Sequence, residues 1–129
     1  MSIYAISDLH LSFNTNKPMD IFGWNNYEEK ISQDWRTNVK EEDLVLLTGD
    51  FSWEMKLENT YKDFQFINNL PGKKLLLKGN HDLWWTTLKR MREFLKEKER
   101  KENKILFSII LLISPPKHLQ HPQALPRCF

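Results

Sequence analysis

Apolar residues along the chain fall into two alternating patterns. Ile3–Ile6 is a short β-prone run that ends in polar Ser7 and Asp8, as a buried strand would. From Tyr27 the apolar positions step by four, through Ile31, Trp35 and Val39, and mark one face of a helix. Asn25 or Asn26 stands where a cap belongs, and Glu28 and Glu29 fall in the first turn, where the helix dipole favours acids. Leu44–Leu47 reads as a second buried strand, stopped by Gly49. Leu57, Tyr61, Phe64 and Ile67 return to helical spacing, which Pro71-Gly72 ends. Leu75–Leu77 is a third strand, stopped by Gly79. Trp84, Leu88, Met91 and Leu95 mark a third helix face, which runs into the mixed-sign stretch Lys96–Lys104, a solvated helix end. Ile105–Ile113 is apolar enough to serve as a fourth strand.

Strands alternating with helices predict an α/β fold of parallel βαβ units with right-handed crossovers, in the order βαβαβα and then a further strand. The strands are continuously apolar rather than alternating, the pattern expected where both faces of a sheet are covered.

Composition narrows this picture. With 129 residues the chain can build one domain, and 40% hydrophobic and 12% aromatic content excludes a disordered reading for most of it. A formal charge of +2, from 19 basic and 17 acidic residues, does not by itself predict a nucleic-acid or membrane partner. The lone Cys128 can build neither a disulfide nor a Cys-based zinc site within one chain. Met1–Ile6 lacks a basic leader, and the run Ile105–Ile113 is far too short to span a bilayer. A soluble, cytoplasmic protein is expected. No Asp or Glu occurs after Glu102, and four of the six prolines lie between Pro115 and Pro126. Residues 1–107 are therefore read as the domain and 108–129 as an apolar, then Pro-rich tail.

Candidate chemistry sits at the ends of the strands. The first runs into Asp8-Leu9-His10, the second into Gly49-Asp50, the third into Gly79-Asn80-His81-Asp82. In an open parallel sheet, ligands collect beyond the carboxyl ends of the strands, so the three segments should converge. In an extended segment, side chains two apart point the same way, which would let Asp8 and His10 reach one ion. Gly49 and Gly79 would let the backbone turn sharply just before a ligand. Asp50 could bridge two cations, and Asn80 offers a neutral carbonyl oxygen. Without thiolates, the set suits Mn, Fe, Zn or similar ions held by imidazole and oxygen.

This ordered set, Asp-x-His, then Gly-Asp, then Gly-Asn-His-Asp, resembles the calcineurin-like metallophosphoesterase superfamily. The resemblance covers about residues 1–107. It implies the N-terminal half of a four-layer α/β/β/α sandwich and hydrolysis of a phosphoester at a centre of two divalent metal ions. It further implies that Asp8 and His10 hold the first metal, that Asp50 bridges and that Asn80 binds the second. His81 would act as general acid or transition-state donor, with Asp82 steadying its loop.

Two departures from the family pattern stand out. The protein serine/threonine phosphatase branch places an acid three residues after Gly-Asp; Asp50-Phe51-Ser52-Trp53-Glu54 lacks it, with Glu54 a substitute at best. A general bacterial-type phosphoesterase is the better match. The family also completes its site with a further His and a Gly-His-x-His segment, and neither is present. His118 and His121 have the wrong spacing and no preceding glycine. The expectation is a truncated or frame-shifted product with an incomplete site, inactive or completed by another chain, whose uncovered sheet face would self-associate. Trp53, Trp84 and Trp85 flank the motifs: Trp84 reads as core packing, while Trp53 and Trp85 fit either core or a substrate rim.

Overall fold

A computed structural model describes residues 1–14, 26–102 and 110–113. The elements follow in the order β1 Ile3–Ile6, α1 Tyr27–Asn38, β2 Leu44–Leu47, α2 Tyr61–Asn68, β3 Lys73–Leu77, α3 Leu88–Glu102 and β4 Ile110–Ile113. They form one four-stranded sheet of order β1-β2-β3-β4, and every neighbouring pair is parallel. The mixed α/β architecture matches the N-terminal half expected from the sequence. Of the apolar run Ile105–Ile113, Ile110–Ile113 forms β4; residues 105–109, Asn25, His118, His121 and the tail beyond residue 113 lie outside the described residues.

Register divides the sheet into two faces. On one, Tyr4, Val45 and Lys74 align, followed by Ile6, Leu47 and Leu76. Val45, Leu47 and Leu76 are buried there in one core with Tyr27 and Trp35 of α1, Phe64 and Ile67 of α2, and Met91 and Leu95 of α3. Each crossover moves one strand along in the same direction, and crossovers of one hand then lay all their helices on one side. The other face carries Ile3, Ala5, Leu44, Leu46, Leu75 and Leu77, none of them buried, and Ile3 is 62% exposed. The runs are apolar on both sides, as a fold covered on both faces requires, but the described residues cover only one, which is the open face expected of half such a fold. The edge strand β1 is correspondingly less buried than its composition suggested.

Local chemistry also shifts several boundaries. Asn26 occupies the cap position of α1 but lies in the left-handed region (φ 53) and makes no side-chain cap bond. Leu57 falls in a separate 3-10 turn, Leu57–Asn59, rather than in α2. The helix α3 begins only at Leu88, where Thr87 Oγ1 accepts the backbone N–H of Arg90 at 3.2 Å and so serves as its cap. Trp84 therefore packs from the preceding turn and not from the helix. Lys74, missed by the apolar pattern, is fully buried in β3; its ammonium donates to the Leu70 carbonyl, and burial pulls its pKa down to about 8.

Candidate metal centre

The parallel pairing of β1 and β2 continues past the strands into the first two motif loops. Asp8 N–H donates to the Gly49 carbonyl at 3.1 Å, His10 N–H to Asp50 at 3.0 Å and Leu11 N–H to Phe51 at 2.9 Å. Trp53 N–H then returns to Leu11 at 2.9 Å. Within this zipper Asp8 (φ 57), His10 (φ 45) and Asp50 (φ 51) all sit in the left-handed region, which is unfavourable for residues with a Cβ. The extended geometry expected for Asp8-Leu9-His10 is thus corrected. The two side chains share a side because left-handed residues alternate with buried Leu9, not because the segment is a strand. Strain of this sort persists only where surrounding bonds over-determine it.

The third loop joins the other two through two glycines. A Cβ on Gly49 would lie 2.8 Å from Gly79 Cα, and one on Gly79 would lie 2.2 Å from the Asp50 nitrogen and 2.3 Å from Asp50 Oδ1. Gly49 also has a positive φ of 123, whereas Gly79 is required for closeness rather than for a turn.

Carboxylates then cross between the loops. Asp50 Oδ1 accepts the backbone N–H of His81 at 2.8 Å, and Asp50 Oδ2 lies 3.0 Å from His81 Nδ1. In the orientation that satisfies its neighbours, the Asn80 amide nitrogen donates to both Asp50 oxygens at 3.3 Å. In the reverse direction, Asp82 Oδ2 accepts from Asp50 N (2.8 Å) and Gly79 N (2.7 Å). Asp82 Oδ1 accepts from Phe51 N (2.8 Å), Ser52 N (3.3 Å) and Trp84 Nε1 (3.0 Å). Asp82 is 1% exposed, so its carboxylate faces backbone and not solvent.

Asp8, His10 and Asp50 present ligand atoms that all lie within 4.8 Å of one another. The fourth expected ligand, Asn80, touches Asp50, so the structure brings the four together at one rim. His10 is held by Trp53, whose ring stacks on it at 4.4 Å and 25°; its Nδ1 is buried without a hydrogen-bond partner. Burial lowers the His10 pKa against the opposing pull of Asp50 and Asp8, which favours the neutral imidazole. Burial would raise the Asp50 carboxyl, yet the ring and backbone N–H of His81 hold it below the usual range. An imidazole whose Nε2 lies 4.0 Å from Asp8 Oδ1, grouped with the Asp50 carboxylate and the Asn80 amide, fits a divalent cation of hard or borderline character. His81 stands at the outer edge, its side chain 54% exposed.

The residues that sequence reasoning left open or missed lie behind this rim. Trp53 backs His10, Trp84 is core, and Trp85 packs on Trp84 at 5.3 Å. Glu54 is fully buried. Asp63, on no motif, is fully buried as well, and receives Ser52 Oγ at 2.6 Å. A signal for it existed: Asp63 lies beside Phe64 and four residues before Ile67, on the apolar face of its helix.

The calcineurin-like phosphoesterase family profile matches residues 1–119. The chain belongs to that family. A solved structure, that of a protein of unknown function from Aquifex aeolicus, is similar to this calcineurin-like phosphoesterase chain at 28% identity with a TM-score of 0.51. The likeness covers 86% of the chain and 52% of the Aquifex protein, so the chain spans about half the length of that relative. No curated protein matches it significantly. Among the described residues, no helix is long and apolar enough to cross a membrane.

Proposed function

We propose that the chain is the metal-binding half of a phosphoester hydrolase that works through two divalent cations. The observation that carries this reading is the meeting of Asp8, His10 and Asp50 ligand atoms within 4.8 Å, with Asn80 against Asp50. Asp8 and His10 would hold one cation, Asp50 would be shared, and Asn80 would offer its carbonyl oxygen to the other. Two such ions, Mn, Fe or Zn by donor chemistry, supply an activated water and charge compensation at the phosphoryl group when bound.

The residues of the chain divide the remaining work. His81, exposed at the rim with Nδ1 turned toward Asp50, would donate a hydrogen bond or proton to the ester oxygen. Asp50 Oδ2 also faces that ring, so His81 would orient the carboxylate that is to hold the cation. Asp82 acts from behind, as the acceptor that ties the Asp50 loop to the Asn80-His81 loop. Action on monoesters or diesters, a cytoplasmic setting and self-association through the open sheet face belong to the same proposal.

The test is turnover of a chromogenic phosphate monoester and diester with Mn²⁺. His81→Ala should remove about 10²–10⁴-fold of the rate while leaving Mn²⁺ binding in place; Asp50→Asn should remove both. A second reading rests on the coverage of only 52% of the solved relative and on the missing Gly-His-x-His segment. On that reading the chain binds metal without turnover. Metal binding with no hydrolysis at any protein concentration would favour it, whereas activity that rises more steeply than protein concentration would indicate completion by another chain.

A further inference from the structure

One buried carboxylate fastens two of the three ligand-bearing loops to a helix. Asp63 of α2 is 0% exposed. Its Oδ1 accepts the backbone N–H of Phe13 at 3.0 Å, three residues past His10. Its Oδ2 accepts Ser52 Oγ at 2.6 Å, two residues past Asp50. Ser52 Oγ in turn accepts the backbone N–H of Glu54 at 3.1 Å, which fixes the turn that carries Trp53 against His10. The backbone also bridges Leu11 to Ser52 at this level.

We propose that Asp63 is a positioning residue for the candidate cation site, holding the Asp8–His10 segment and the Asp50 segment in register without touching the cation. The inference rests on the functional reading above. A buried carboxylate is a poor route to stability, since taking its charge out of water costs more than an apolar side chain of similar size would. Burial pushes the Asp63 carboxyl up to about 6, against the Ser52 and Phe13 hydrogen bonds, with the Glu54 charge adding to the rise. The phenol of Tyr27 also lies within its electrostatic reach. A group held at such a disadvantage on the apolar face of a helix is accounted for by what it fastens. Outer partners of metal ligands have a matching effect: their loss weakens metal binding without removing a ligand.

The experiment pairs Mn²⁺ titration calorimetry with urea unfolding of the metal-free protein. Asp63→Leu should weaken Mn²⁺ binding about 10-fold or more, and Ser52→Ala should move it the same way by a smaller factor. Ile67→Ala, one turn along the same helix and fully buried, should lower stability yet leave Mn²⁺ affinity within about twofold. Wild-type affinity in Asp63→Leu and Ser52→Ala overturns the inference, as does an equal loss in Ile67→Ala. If Asp63→Leu does not fold, Ser52→Ala decides. A wild-type chain that takes no Mn²⁺ overturns the functional reading together with this inference, whereas binding that the variants leave untouched overturns the inference alone.

Discussion

On the covered face of the sheet, Val45, Leu47 and Leu76 lie in regular strands and are held by apolar contact with three helices. At the carboxyl rim of the same strands, Asp8, His10 and Asp50 sit in left-handed conformations and are held by hydrogen bonds between loops. The first region is relaxed and hydrophobic, and its stability comes from burial. The second is strained and polar, and its order comes from carboxylates that accept several N–H donors each. Substitutions should therefore separate them: changes in the covered face move stability, and changes at the rim move metal affinity.

The sharpest break in that comparison is Gly79→Ala. The added Cβ would meet the Asp50 backbone nitrogen at 2.2 Å, so the two loops must part. We expect loss of Mn²⁺ binding and, because the Asp82 hydrogen bonds open too, a destabilisation above about 3 kcal/mol by urea titration. Next come paired leucines on the two faces. Leu76→Ala should cost about 2–5 kcal/mol, whereas half-buried Leu46→Ala on the open face should cost less than about 1 kcal/mol. Equal losses would mean that the open face is covered in solution.

A smaller effect comes from pH. The Asp63 carboxyl is raised from 3.8 to about 6, so its contribution is fully present below the unfolded value and is lost as pH climbs through the folded one. The lowered Asp50 and Asp43 carboxyls work in the opposite sense, but only as pH falls below the usual carboxylate range. Between about pH 5 and pH 7, wild-type stability should fall by roughly 1 kcal/mol more than that of Asp63→Asn. Urea midpoints at the two pH values would measure it. The smallest stability change is expected for Asp8→Gly. Relief of a positive φ of 57 offsets the entropy of the new glycine, so metal-free stability should stay level or rise by up to about 1 kcal/mol. Its Mn²⁺ affinity should nonetheless fall, by more than the roughly 10–100-fold that outer partners carry.

The rim and the covered face also differed in how far they could be read from the chain. Leu44–Leu47 followed by Gly49-Asp50, and Leu75–Leu77 followed by Gly79-Asn80, place ligands at strand ends by local pattern alone, and those segments do converge. What local pattern could not carry depends on distant partners. The burial of Lys74 within the paired sheet and the stacking of Trp53 on His10 arise from contacts made across the fold. The left-handed backbone of Asp8 and His10 leaves no mark in composition, because no glycine stands there. Which strand residues carry the open face could not be told by residue type, since Leu46 and Leu47 are alike and lie on opposite sides.

The central claim is that Asp8, His10, Asp50 and Asn80 make one cation site, and calorimetric titration of Mn²⁺ into wild type and Asp50→Asn tests it most directly. Saturable binding in the wild type, lost in a variant that unfolds at the same urea concentration, is the expected result. Equal binding by the two proteins, or none by either, would contradict it.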